Sequence, residues 1–265
     1  VLRDFNNYLG NAYLSFGKPL DLEEFLQENV SEDFHINSPL DRPDWLKPTT
    51  SLLGDEIVRS INNSVAVSST SLFAISLLTD PTQALNRETL KARISFYLTL
   101  LSKSDRYKDV WITEKDPDEI IDRSERLKFI KHQLIGSDEV YRPSPIEVAT
   151  LSFYKNNISH IFMLYSLICE SVRYVEKISK ADMYALIQMV YPIISREYFL
   201  QSSQIEEREI ENALKTLIEQ GVLNSKESEA YSKPDNNGGH FNKYLSLCNI
   251  CEPSLKRFYI TMSVL

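Results

Sequence analysis

The sequence predicts a mainly α fold, a helical bundle with a small β-hairpin near the C-terminus, and three observations carry that expectation. Glycine is scarce: there are seven in 265 residues, where a share of about 7% would give roughly eighteen. Turn-rich all-β folds and phosphate-cradling loops both need more. Apolar residues recur at helical spacing along most of the chain, whereas period-two alternation is confined to one short stretch. The composition, 43% hydrophobic and 25% charged, is ordinary for a globular domain.

The period-two stretch is Asn11–Pro19, with Ala12, Leu14 and Phe16 on one face and Tyr13 and Ser15 on the other. It reads as a single strand ended by Gly17-Lys18-Pro19. A lone strand leaves its backbone edge unpaired, so its sheet is expected from residues before Val1 or from a distant segment. Leu20–Asn29 reads as a helix behind Asp21. Pro39, Pro43 and Pro48 then mark a connector that resists helix and sheet alike. Ile57, Ile61, Val65, Leu72, Ile75 and Leu78 make Gly54–Leu78 one or two buried helices. Arg87–Leu101 is a clearer helix, capped by Asn86, with Leu90, Ile94, Tyr97, Leu98 and Leu101 as its stripe.

Pro117 can open a helix over Asp118–Leu134, whose alternating charges mark a solvated face. A loop over Gly136–Pro145 contains a short strand at Val140 and Tyr141. Ile146–Val175 is the most apolar helix, followed by helices at Ser179–Leu200 and Glu206–Gln220, the latter closed by Gly221. Val222–Leu223 and Tyr244–Cys248 are expected to form a hairpin around the Asn236–Gly239 turn, and a last helix is expected to start near Pro253. No internal repeat or low-complexity tract is visible.

Charge and motif spacing narrow the function classes. With 29 Lys+Arg against 37 Asp+Glu, the net charge is −8 and the pI about 5.2, which argues against a nucleic-acid surface spread over the molecule. The seven glycines form neither G-x-G-x-x-G nor G-x-x-x-x-G-K. Three cysteines, an odd number, point to a reducing compartment rather than a disulfide framework. The opening residues lack a signal-peptide pattern. The longest apolar run, Ile161–Cys169, is about half the roughly 20 residues a spanning helix needs.

Cys248-Asn-Ile-Cys251 has the C-x-x-C spacing of zinc and redox sites, but only His240 lies near it and no βαβ setting surrounds it. It reads as buried small residues, with no metal or cofactor implied. His35, His132, His160 and His240 have no Asp five positions on, and no Ser stands in G-x-S-x-G. Arg42, Arg59, Lys155 and the Lys256-Arg257 pair read as solvated or ion-paired cations. Within Tyr154–His160, Asn156 and His160 share a helix face with Asn157 beside them. Such groups on an apolar helix form either a hydrogen-bond network that locks helices together or a contact with substrate or another domain. Asn156, Asn157 and His160 are therefore the candidate substrate-binding residues. Residues 178–265 follow a winged-helix order of elements, yet the would-be recognition helix Glu206–Gln220 is too acidic for phosphates.

Several blocks in order carry a resemblance. They are Phe16-Gly17-Lys18-Pro19, Arg42-Pro43-Asp44-Trp45-Leu46-Lys47-Pro48-Thr49, Val58-Arg59-Ser60-Ile61-Asn62-Asn63, Tyr154–His160, Tyr191-Pro192, Glu197-Tyr198-Phe199-Leu200 and Arg257-Phe258-Tyr259-Ile260-Thr261. Together they resemble the C-terminal portion of the large, membrane-associated bacterial glycerol-3-phosphate 1-O-acyltransferases, over nearly the whole chain except Ser102–Arg142. The resemblance implies an enzyme that moves an acyl group from acyl-CoA or acyl-carrier protein to the sn-1 hydroxyl of glycerol 3-phosphate in phospholipid synthesis. Its implied place is the cytoplasmic face of the bacterial inner membrane, as a peripheral or monotopic protein. No cofactor and no nucleic acid are implied.

The family's catalytic His-x-x-x-x-Asp and its Gly-x-x-Arg-Ser-like phosphate block do not occur in these 265 residues, so no catalytic residue carries over. On this reading residues 1–48 end an α/β acyltransferase domain and add a Pro-rich connector, and 49–265 form a helical C-terminal domain. Val1 in place of Met fits a cut inside a longer chain. The piece alone is expected to be soluble and inactive. The alternative is an independent helical interaction module.

Overall fold

The computed structural model describes residues 11–30, 42–128, 130, 132–135, 138–226, 230–236 and 238–264. Helices dominate: α1 (Leu22–Asn29), α2 (Leu46–Asn63), α3 (Ser69–Leu78), α4 (Arg87–Lys103), α5 (Pro117–Arg126), α6 (Pro145–Ser159), α7 (Met163–Ser171), α8 (Lys180–Glu197), α9 (Glu207–Glu219) and α10 (Gly239–Val264). A 3-10 turn, His160–Phe162, joins α6 to α7. Among the described residues six short strands make two small antiparallel sheets. β1 (Leu85–Asn86), β2 (His132–Ile135) and β3 (Asp138–Tyr141) are ordered β1-β3-β2. β4 (Ile178–Ser179), β5 (Asn224–Lys226) and β6 (Ala230–Ser232) are ordered β4-β6-β5. The fold is mainly α with small hairpins, as the sequence predicts.

The core is built where the apolar stripes are densest. Every residue of α3 is buried, and α6 lies along it; α10 lies along α7 in the same way. The predicted α4 stripe points inward through Leu90, Ile94, Tyr97 and Leu101, and Asn86 caps that helix by accepting from the Thr89 N–H at 2.9 Å.

The two sheets belong to two copies of one arrangement. α3-β1-α4-α5-β2-β3-α6 is followed by α7-β4-α8-α9-β5-β6-α10 in the same order and with the same sheet topology. The offset is 93 residues at α4 and α8 (87 to 180). At that offset the buried Leu90, Ile94 and Leu101 become the buried Met183, Ile187 and Ile194. Ile120, Ile121 and Ser124 become Ala213, Leu214 and Leu217, and the Arg87–Asp118 ion pair becomes Lys180–Glu211. Lys128 (φ 56°) and Gly221 (φ 66°) close α5 and α9 with the same left-handed residue. Leu85 opposite Tyr141 matches Ile178 opposite Tyr231. The absence of a repeat inferred from the sequence is thus corrected. Between α4 and α8 only Ala92/Ala185, Ile94/Ile187 and Ser102/Ser195 are identical, so the duplication survives in burial pattern rather than in letters.

Several further expectations are revised. Asn11–Pro19 carries no regular structure and pairs with no strand among the described residues. Leu14 and Phe16 face outward, and Tyr13 is held instead by an edge-on contact with Trp111 at 5.5 Å. Pro48 does not break α2, because it falls in the first turn, where no backbone donor is needed. α2 is also not a buried helix; its one buried residue is Thr49. The helix expected over Asp118–Leu134 stops at Arg126, and His132–Ile135 pairs as a strand. Ile146–Val175 is broken at His160. The hairpin is β5–β6, and Tyr244–Cys248 belong to α10, which runs through Pro253; burial of Tyr244, Leu247, Cys248 and Cys251 outweighs the bond that proline forfeits.

Candidate functional site

The segment Tyr154–His160 is split by the helix break at its end. Asn156 and Asn157, on the exposed side of α6, line a cleft of about 730 Å³ shared with α2, the start of α3 and residues 13–20. Gly17 brings that N-terminal segment down onto α2 so closely that a Cβ would collide with Ser64 Oγ. Lys18, Ser60, Ser64 and Ser68 add one ammonium and several hydroxyls to the lining. No carboxylate and no imidazole is among the described lining residues. The cleft therefore offers hydrogen-bond donors and one positive charge on a molecule that is negative overall, a chemistry suited to holding a polar or anionic group rather than to moving a proton.

His160 points the other way. It is buried, and its Nε2 donates to the Asn62 carbonyl oxygen at 3.1 Å, which assigns the tautomer. Its ring also meets Tyr107 edge-on at 5.8 Å. Burial pushes its pKa down from 6.5 to about 4, only partly offset by the bond to Asn62. His160 is a neutral donor inside the fold. Between the candidates, Lys155 is half-buried, and desolvation lowers the pKa of its ammonium.

Asn62 is the residue the sequence reading passed over. While its carbonyl accepts from His160, its Nδ2 donates to the carbonyls of Tyr198 at 2.9 Å and Phe199 at 3.3 Å. One residue thus ties the end of α2 through its backbone to the break after α6 and through its side chain to the end of α8. Spacing could not reveal this, because the partners lie 98, 136 and 137 residues away.

The other histidines find no aspartate. His132 Nδ1 lies 3.2 Å from Glu125 Oε1, and His240 Nδ1 lies 3.1 Å from the Gln220 carbonyl; His35 lies outside the described residues. Cys169, Cys248 and Cys251 are free and buried, and burial raises their thiol pKa values, that of Cys251 to about 12. Among the described residues no group of three or more His, Cys, Asp or Glu could hold a metal ion. Arg59 pairs with Glu56 at 3.6 Å, Lys256 with Glu252 at 2.8 Å and Arg257 with Glu197, as solvated or paired cations should.

A second polar centre joins the two units. Arg106, in the turn that follows α4, donates through Nη2 to Glu209 Oε2 at 2.8 Å and through Nη1 to Tyr191 Oη at 2.9 Å, beside His160, which lines the same void of about 30 Å³. That volume holds a water molecule and no substrate.

Fold and site define a duplicated helical region with a polar cleft on its N-terminal side. The family model for the glycerol-3-phosphate acyltransferase C-terminal region matches residues 1–265, and the chain belongs to that family. It is 28% identical over 265 residues to a glycerol-3-phosphate acyltransferase of Aeromonas hydrophila, covering 99% of this chain and 32% of that protein. A namesake from Alteromonas mediterranea is 28% identical over 270 residues, covering 100% and 32%, and one from Pseudomonas aeruginosa is 26% identical over 259, covering 97% and 31%. The chain thus spans about a third of the length of these relatives. Among the described residues no helix is long and apolar enough to cross a membrane.

Proposed function

We propose that the chain serves as the helical C-terminal region of an enzyme that acylates the sn-1 hydroxyl of glycerol 3-phosphate from acyl-CoA or acyl-carrier protein, working at the cytoplasmic face of a bacterial inner membrane. The observation that carries this is the family match along all 265 residues. In such a reaction the substrate hydroxyl loses its proton to a base as its oxygen attacks the acyl carbonyl, and the thiol of the donor leaves. The base and its partner would lie in the part of the relatives outside the matched region, since no histidine here has an aspartate five residues on. Asn156 and Asn157 would contact substrate from the cleft, with His160 positioning their helix from behind.

The division into 1–48, as the end of the acyltransferase domain, and 49–265, as the helical domain with a winged-helix-like part at 178–265, belongs to the same proposal. α2 begins at Leu46 and would carry that boundary in its first turn. The test is lysophosphatidic acid formation by the purified 265-residue chain beside the natural full-length polypeptide. Activity only in the longer protein is expected; turnover by the shorter one sinks the reading.

A further inference from the structure

The duplication exposes a difference between the two units. At the end of the first unit, α4 and the start of α7, which leads into the second, form a recess that includes Lys103, Ser104, Leu164 and Tyr165. α9 of the second unit closes it. Glu209 meets Arg106, and Asn212 Nδ2 donates to Asp105 Oδ2 at 2.7 Å, with Ala213 against the recess wall. Only about 30 Å³ stays empty. Ninety-three residues on, the same four positions are Arg196, Glu197, Arg257 and Phe258, and all four line an open groove of about 660 Å³ between α8 and α10. No described element closes it. Met189, Ile193, Tyr259 and Ile260 stand exposed on the helices that form it. Arg257 is paired with Glu197, but Arg196 has no ion-pair partner among the described residues.

We propose that the α8–α10 groove receives an amphipathic helix from the acyltransferase portion of the same polypeptide, docked as α9 is docked on the first unit. The expected helix carries a carboxylate to meet Arg196 and an apolar face to cover Ile193 and Phe258; its register differs from that of α9, because Glu209 pairs with Arg106, whose counterpart is Phe199, whereas Arg196 is the counterpart of Lys103. Two features select this occupant. A cation without a counter-ion beside an apolar floor complements a carboxylate on an amphipathic helix. The relatives also carry some two thirds of their length outside the matched region, and Asn62 fixes α2 to Tyr198 and Phe199, at the same end of α8 as the groove. A helix tethered there acts at an effective concentration in the ~mM range, so a modest interface suffices. The inference rests on the reading of this chain as part of a longer acyltransferase.

The natural full-length polypeptide tests it. A benzophenone maleimide is attached to Thr261→Cys, in the groove, or to Ile146→Cys, an exposed control on α6; the chain's own cysteines are buried. After irradiation, mass spectrometry should find the groove position joined within one molecule to a helical segment outside this region. Arg196→Glu should cut that yield about fivefold or more, the effect of losing roughly 1 kcal/mol of charge pairing, while Arg196→Lys keeps most of it. A yield no higher than the control's overturns the proposal. So does a cross-link to a second copy, to phospholipid or to a separate protein, or an unchanged yield in Arg196→Glu. The readout needs no turnover: a cross-linked polypeptide without lysophosphatidic acid formation would sink the acyltransferase reading and leave the docking, and an active polypeptide without the cross-link would do the reverse.

Discussion

His160 shows how a side chain with catalytic potential is held as a fastener. Its imidazole is desolvated, so the charged form is unfavourable, and its one proton is committed to the Asn62 carbonyl. His160→Ala should cost about 2–4 kcal/mol, because a buried carbonyl loses its donor and a void opens. If the full-length polypeptide is the acyltransferase proposed above, its Michaelis constants should stay near wild type. Asn156→Ala should do the opposite, raising KM with little change in melting temperature, and kinetics beside thermal melts separate the two. The depressed pKa also fixes a pH dependence. The unfolded chain binds this proton near pH 6.5 and the folded one only near 4. The contribution is therefore complete above pH 6.5 and is lost as pH falls toward 4, worth on the order of 3 kcal/mol. Urea melts between pH 4 and 7 should show wild type losing this stability as pH falls while His160→Gln does not, so the wild-type advantage narrows toward pH 4. The sequence brought Asn156, Asn157 and His160 forward together because they share a helix; it could not reveal that the helix breaks at the third.

At the scale of elements, stripes, caps and closures decide what could be read. The α4 stripe and its Asn86 cap are local features, fully written in the letters, and α9 ends at the glycine that marks it. α5 ends by the same geometry with Lys128 in the left-handed position, a residue that announces nothing, so its helix was read too long. Lys128→Gly should relieve that conformation and stabilise the protein by about 1 kcal/mol. Gly221→Ala should destabilise it by at least as much, since a Cβ would also meet the His240 ring. Paired denaturation curves would check both signs; equal effects of one sign would refute the shared closure. Pro253 misled in the opposite direction, because packing along α7 keeps α10 continuous through it.

At the scale of the molecule, the two units are joined head to tail by Arg106 and Glu209, both largely shielded from water. Glu209→Ala should cost about 3 kcal/mol, the penalty of leaving a buried guanidinium without its carboxylate. It should also make the first unit's recess reachable, seen as faster hydrogen exchange at the end of α4. Fold class was legible because it depends on period and composition, whereas the duplication was not, because its pairs differ in identity while sharing burial. The Asn62 tie has a consequence in time rather than in space. Its partners at Tyr198 and Phe199 lie 136 and 137 residues downstream, so this tie cannot form until the second unit is in place. α2 leaves the ribosome before most of this chain, yet its tie to α8 should be among the last contacts to form and the first to let go.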